Sequence, residues 1–251
     1  MKSQKETEKF KKLINRQRIE PMIWDYSYIL LKNNFNIFKK FRNLVVMENK
    51  RKILDVGCGF KPWFSLFDRD KVEYIGIDFD KEKSSADFVG SAEKLPFSDS
   101  DNNFDALIYS ETLEHVENLP QALKEMRRVI KNGGLVFISS PFIFPEHGIP
   151  YDFQRLTKYF YKNIFKNDEI IILKESNSSF STAITSFNLF IESSPFKIFY
   201  GLKQIIYIFS NILAIIIDEI TEFIFSKIAK SYKQYFYLMP IGYALIIRIK
   251  K

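Results

Sequence analysis

Short apolar runs recur through the middle of the chain between polar and glycine-bearing turns, and longer stretches with helical spacing lie on either side of them. The runs at residues 52–56, 73–78, 87–90, 104–110 and 135–140 predict five strands, with a turn over 99–103. Pro62 opens a short helix after the first strand. Residues 119–130 carry a helical pattern, and Asn132-Gly133-Gly134 reads as its stop. Thr157 suits the cap of a helix running to Phe165, residues 168–175 predict a sixth strand, and 243–250 a seventh. Strands alternating with helices imply an α/β fold with a parallel, doubly wound sheet.

The two ends differ from this middle. Residues 7–19 and 24–46 carry apolar positions at helical spacing (Phe10, Leu13, Ile14; Ile29, Leu30, Phe38, Phe41, Leu44), with Pro21 between them, and predict helices that cap the site. More than 60 residues separate the sixth and seventh strands, rich in Phe and Ile. Within them Leu202, Ile206, Phe209, Leu213, Ile216, Ile220 and Phe223 recur at helical spacing, while Lys203, Ser210, Asp218 and Glu222 form a thin polar stripe. Such a helix is expected to hide most of its girth. Its longest charge-free run, residues 204–217, is shorter than the roughly 20 residues a bilayer requires. That leaves a buried or dimer-forming helix, or one lying in a membrane interface with Lys197, Lys203, Lys227, Lys230 and Lys233 towards anionic headgroups. The expected organisation is a basic helical cap (1–50), a core (51–178), an apolar helical insertion (179–238) and the last strand of the core (239–251).

Composition changes the picture in one place. Residues 1–50 hold 12 Lys and Arg against 5 Asp and Glu, which accounts for the whole net charge of +7 and leaves the rest neutral. A solvated helical cover explains this arm; anionic lipid, a sugar phosphate or RNA are its candidate partners. The single cysteine, Cys58, excludes an intrachain disulfide. The Lys-rich start shows no apolar leader run, so a cytoplasmic location is expected, with a peripheral position at the inner face of the membrane as its variant.

The chemistry concentrates at residues 53–62, Ile-Leu-Asp-Val-Gly-Cys-Gly-Phe-Lys-Pro. Gly57 and Gly59 let the backbone approach a ligand closely, and the helix opened by Pro62 would turn its amide groups towards it. Asp55 stands where dinucleotide dehydrogenases carry an apolar residue, and Pro62 replaces their third glycine, so NAD is disfavoured. Asp78 ends the second strand 21 residues after Gly57, the offset at which a carboxylate meets a ribose diol.

With Ser-Ala-Glu-Lys-Leu-Pro-Phe after the third strand, the chain resembles the class I S-adenosylmethionine-dependent methyltransferases over roughly residues 52–175. The resemblance implies a Rossmann-like, seven-stranded, mostly parallel sheet with helices on both faces and an antiparallel last strand. It also implies S-adenosylmethionine as cofactor. Asp55 would lie near its methionine end, with Gly57, Cys58 and Gly59 passing beneath it and Asp78 taking both ribose hydroxyls. Phe79 would pack on the adenine or serve as a core aromatic; Ser91, where the family commonly has aspartate, with Ala92 and Glu93, would surround the adenine amine. Ser110 and Glu111 match the segment beside the methionine moiety, and His115 would orient that loop or act catalytically.

The stretch 141–157, with Gly-Phe-Lys-Pro after strand one, looks like a subgroup common in bacterial surface-polysaccharide gene clusters, which usually has a second histidine where this chain has Tyr151. Acceptor contacts are assigned to Tyr151, Asp152 and Arg155. His147 is the candidate base for a hydroxyl acceptor; the competing reading is that His147, Asp152 and Arg155 only pin the loop. With two histidines and one cysteine, no metal cluster is expected. The function expected is O-methylation of a sugar, lipid-linked glycan or other small polar acceptor. A non-catalytic cofactor-binding or assembly protein and an RNA methyltransferase are the rivals, the latter lacking a base-holding motif after strand four.

Overall fold

The computed structural model describes residues 4–98, 104–193, 200–227 and 236–251. Lys197, Lys230, Lys233 and the expected turn at 99–103 lie outside the described residues. The strands are β1 (Lys52–Val56), β2 (Glu73–Asp78), β3 (Phe88–Val89), β4 (Phe104–Ser110), β5 (Ile130–Pro141), β6 (Glu169–Glu175) and β7 (Gly242–Arg248). They form one sheet in the order β3-β2-β1-β4-β5-β7-β6. β1 to β5 pair in parallel, and β7 runs antiparallel between β5 and β6, as expected.

Successive strand residues point to opposite faces, so both faces are buried in alternation. Leu54, Val56, Leu107, Tyr109, Val136 and Ile138 enter one core layer, under α3 (Leu119–Val129) and α4 (Lys158–Ile164). Ile53, Ala106, Ile108, Leu135 and Phe137 enter the other. That second layer corrects part of the expectation for the amino-terminal helices. α1 (Gln4–Ile19) covers the site, whereas α2 (Tyr28–Met47) reaches it only through its first turns, at Leu30, Leu31 and Asn34, and otherwise lies on the sheet, with Phe38, Phe41 and Val45 fully buried. Phe38 stacks on Trp63 at 4.0 Å between ring centres and meets Phe137 edge-on at 5.0 Å. The physical reason lies in the crossovers: β1 to β2 contributes only the short 3-10 turn Pro62–Leu66, which leaves a sheet face for α2 to cover.

Two further expectations change. The third helix stops at Val129, and Ile130 is already extended and paired with Phe104, so Asn132-Gly133-Gly134 sits inside an irregular β4–β5 pairing rather than at a helix end. Gly133, at φ +72°, donates its amide to the Ile249 carbonyl there.

The insertion forms α5 (Ser179–Ser193) and α6 (Tyr200–Lys227), which pack on each other and touch α2, but with the faces reversed. Ser210 and Asp218 of the polar stripe face inward, while Glu222 is exposed. Asn211 Nδ2 donates to the carbonyls of Ile23 and Asp25, Asn188 Nδ2 donates to the Tyr26 carbonyl, and Ser178 and Ser181 donate to Asp218. The apolar positions face out: Phe209 is 70% exposed, and Leu213, Ile216 and Ile220 about half. The irregular backbone between α1 and α2 carries carbonyls that need donors, and the side-chain amides of Asn211 and Asn188 supply them.

Candidate active site

Parallel pairing sets Val56 beside Ile77, so the strand ends deliver the loop after β1 directly to Asp78. The amides of Gly57 and Cys58 both donate to the Ile77 carbonyl at 2.9 and 3.0 Å. Gly57 has φ +69°, and a Cβ there would lie 2.6 Å from two side-chain atoms of Thr112, whose hydroxyl donates to the Val56 carbonyl. Asp78 accepts the Gly59 amide at 2.9 Å through one oxygen and the Asp80 amide at 3.1 Å through the other, each oxygen retaining acceptor capacity. Lys61, which the sequence reading passed over, pairs with Asp87, and Asp87 also accepts the Gly76 amide.

These residues open onto a cavity of about 360 Å³ lined by Gly57, Asp78, Phe79, Ser91, Ala92, Glu93, Glu111, Thr112, His115 and Tyr151. Phe79 is 61% exposed at its rim, its ring 5.5 Å from that of Tyr151, which rules out the core-aromatic alternative. The Ser91 hydroxyl accepts the Glu93 amide, and Glu93 accepts the Asn118 amide at the start of α3. Asp55 opens instead onto a second hollow of about 180 Å³, with Cys58, Gly59, Ser110 and the α1 residues Ile14 and Arg18. The two hollows share Gly57 and Glu111. Asp55 is 1% exposed and accepts the Tyr74 hydroxyl at 2.5 Å; burial pushes its carboxyl up to about 7. Burial raises the Cys58 thiol as well, which makes it a packing residue rather than a nucleophile.

A third hollow of about 270 Å³ lies under α1 and α2, between Gln17, Arg18, Tyr26, Asn34, Phe144 and His147, and shares Glu111 and His115 with the first. Glu111, at φ +53°, is the one residue common to all three; burial and the neighbouring Glu114 raise its carboxyl. α1 closes this region from above, with Asn15 donating to the Phe60 carbonyl at 3.0 Å.

The acceptor-side residues divide. Tyr151 is exposed to the first cavity. Asp152 is engaged by Arg155 through two bonds and by the His147 amide, which hold its carboxyl well below the usual carboxylate range, and Arg155 also donates to the Phe144 and Pro145 carbonyls. Both therefore staple the loop that carries His147.

The two histidines, 32 positions apart, come together with ring centres 4.9 Å apart, and Glu114 joins them. Glu114 is fully buried, its Oε1 lying 3.7 Å from His147 Nε2 and 3.9 Å from His115 Nε2. The carboxylate beside it raises the His147 pKa. Glu114, Thr112 and Arg18 were missed in the sequence; an acid next to each histidine (Glu114, Glu146) was the available signal for the first.

Residues 54–138 match the family model described as a methyltransferase domain. Over residues 54–138 the chain is similar to methyltransferase domains, and the strand order of its sheet agrees with that resemblance. Among relatives, a demethylmenaquinone methyltransferase of Bacillus pumilus is 35% identical over 124 residues, covering 41% of this chain and 52% of the relative. A malonyl-[acyl-carrier protein] O-methyltransferase of Erwinia pyrifoliae is 34% identical over 102 residues, covering 37% and 38%. The chain thus spans about half the length, or less, of these relatives. A Bacillus halodurans structure with a provisional methyltransferase assignment shares the methyltransferase fold at 14% identity, with a TM-score of 0.51 over 86% of this chain and 100% of the other. The matched stretch contains the glycine loop, Asp78 and Glu114; α1, the His147 loop, α5 and α6 lie outside it.

Proposed function

We propose that the chain transfers a methyl group from S-adenosylmethionine to a hydroxyl of a small polar acceptor, a sugar or lipid-linked glycan. The observation that carries this reading is that the hollow behind Gly57 and Asp78 and the one under α1 and α2 share Glu111 and His115 in their walls. Bound there, S-adenosylmethionine supplies a methyl carbon activated by an adjacent sulfonium. The residues present fit it: Gly57 leaves room only for backbone beside Thr112, Asp78 keeps lone pairs for a diol, and Phe79 offers an exposed ring face. Asp55, Ser110 and Arg18 then face the amino-acid end. Such a transfer needs alignment and exclusion of water, which α1 provides by closing over the loop.

The relatives are named for a quinone and for a malonyl carrier-protein conjugate, but the acceptor hollow lies largely outside the matched stretch. Its lining supports a hydroxylated acceptor: Gln17, Arg18 and Asn34 supply hydrogen bonds, and Tyr26 and Phe144 supply faces for a sugar ring. The Glu114–His115–His147 cluster is placed to act on the hydroxyl, while Asp152 and Arg155 position it.

A second observation supports action at a lipid surface. α5 and α6 expose Phe187, Phe190, Phe209, Ile216 and Ile220 together, and no described helix is long and apolar enough to cross a bilayer. We place this face in the headgroup region of the inner, cytoplasmic leaflet.

Titration calorimetry with S-adenosylmethionine, followed by labelled-methyl transfer to glycan, lipid-linked and nucleic-acid fractions, tests the reading. Binding by the wild type that is lost in Asp78→Ala, with label in a glycan or lipid-linked fraction, is expected. No binding by the wild type refutes the cofactor; binding without transfer to any fraction refutes the enzyme.

A further inference from the structure

The two imidazoles and the Glu114 carboxylate present an unusual balance of donors and acceptors. His115 Nδ1 lies 2.5 Å from the Tyr151 carbonyl oxygen, and His147 Nδ1 lies 3.2 Å from that of Pro145. A carbonyl only accepts, so each Nδ1 carries the proton and each Nε2 presents a lone pair. Both Nε2 atoms point at Glu114 Oε1, at 3.9 and 3.7 Å, beyond hydrogen-bond reach. The Glu114 side chain is 1% exposed, and neither of its oxygens has a hydrogen-bond partner among the described residues. Two imidazole lone pairs therefore face one buried carboxylate that has no donor among the described residues, three lone-pair donors in all with no proton between them. Leaving such a charge uncompensated is costly, and a cation among them removes the cost.

We propose that Glu114, His115 and His147 hold a divalent transition-metal ion at the junction of the two hollows, and that the ion binds the acceptor's hydroxyl oxygen. One ligand atom from each residue already lies within 4.8 Å of the others. Bonds of about 2.1 Å at tetrahedral angles separate ligand atoms by about 3.4 Å, so small side-chain rotations close the shell. Two imidazoles with one carboxylate suit zinc, iron(II), cobalt or manganese rather than calcium or magnesium. The carbonyl behind each imidazole, with Asp152 3.5 Å from His147 Nδ1, is the outer shell that fixes a ligating tautomer. Three protein ligands leave positions open, and both histidines line the acceptor hollow. In the transfer, the coordinated oxygen forms its bond to the methyl carbon as the carbon–sulfur bond breaks with its electron pair on sulfur. The hydroxyl proton is released to bulk solvent when the oxygen coordinates, before the transfer.

This inference deepens the methyltransferase reading, and its test separates the two. The full chain, stripped with chelator, is titrated with Co²⁺ alone and followed by visible absorption and calorimetry, with Zn²⁺ as competitor. One Co²⁺ per chain with d–d bands, displaced by Zn²⁺, is expected. Glu114→Gln and His147→Ala should each weaken binding by about 100-fold or more, with thermal melting showing both variants folded; His147 is only part-buried, so its truncation spares the core. Absence of stoichiometric Co²⁺ and Zn²⁺ uptake, or unchanged binding in folded variants, overturns the metal and leaves a Glu114 pair with protonated His147. S-adenosylmethionine is titrated separately into the stripped chain, so loss of that binding fails the cofactor reading without touching the metal result.

Discussion

Asp55 is buried at the end of β1 with the Tyr74 hydroxyl as its hydrogen-bond donor, and its environment makes a measurable statement about stability. Burial raises its carboxyl from 3.8 to about 7, against the lowering influences of Tyr74 and Lys61. Below about pH 4 both folded and unfolded chains hold the proton, and the residue contributes no pH dependence. Between about 4 and 7 the unfolded chain releases it while the folded chain keeps it, so stability falls as pH rises. Above about 7 both are ionised and the full cost is present. A gap of about three pH units at about 1.4 kcal/mol each gives a cost of about 4 kcal/mol. Asp55→Asn keeps the shape and can still accept from Tyr74, but it never ionises. Relative to the wild type, the variant is therefore expected to gain about 2–4 kcal/mol between pH 4 and pH 8, after allowance for the new amide N–H group. Urea unfolding of both chains at pH 4, 6 and 8, in the absence of cofactor, measures this directly. A difference in unfolding free energy that stays flat across that range would refute the buried, proton-holding Asp55.

Gly57→Ala is expected to cost about 2–5 kcal/mol at the loop, from the left-handed backbone and from a Cβ 2.6 Å from Thr112, and to weaken S-adenosylmethionine binding at least about 30-fold. Calorimetry should show partial recovery in the Gly57→Ala/Thr112→Ala double variant; wild-type affinity in the single variant contradicts the close packing. Phe209→Asp, on the exposed face of α6, should leave the melting temperature nearly unchanged while reducing flotation with anionic vesicles several-fold. Equal flotation of the two chains removes the lipid-surface reading.

The strands and the approach of the glycine loop to Asp78 were legible in the chain because they depend on short-range rules, whereas the sequence did not show that Asp55 would line a different hollow from Asp78. Parallel neighbours of known order bring their carboxyl ends together, so Gly57 and Asp78 meet whatever the rest of the protein does. Hydrophobic spacing also located α2 and α6, yet it could not orient them. An amphipathic pattern says that two faces differ; which one is buried depends on the partner. α2 became a core layer because the β1–β2 crossover holds too little helix to cover the sheet. α6 turned Asn211 inward, beside Asn188 of α5, because carbonyls at Ile23, Asp25 and Tyr26 required donors. The convergence of His115, His147 and Glu114 was likewise a tertiary outcome: it rests on a loop pinned by the Asp152–Arg155 pair, and no local spacing encodes where such a loop comes to rest.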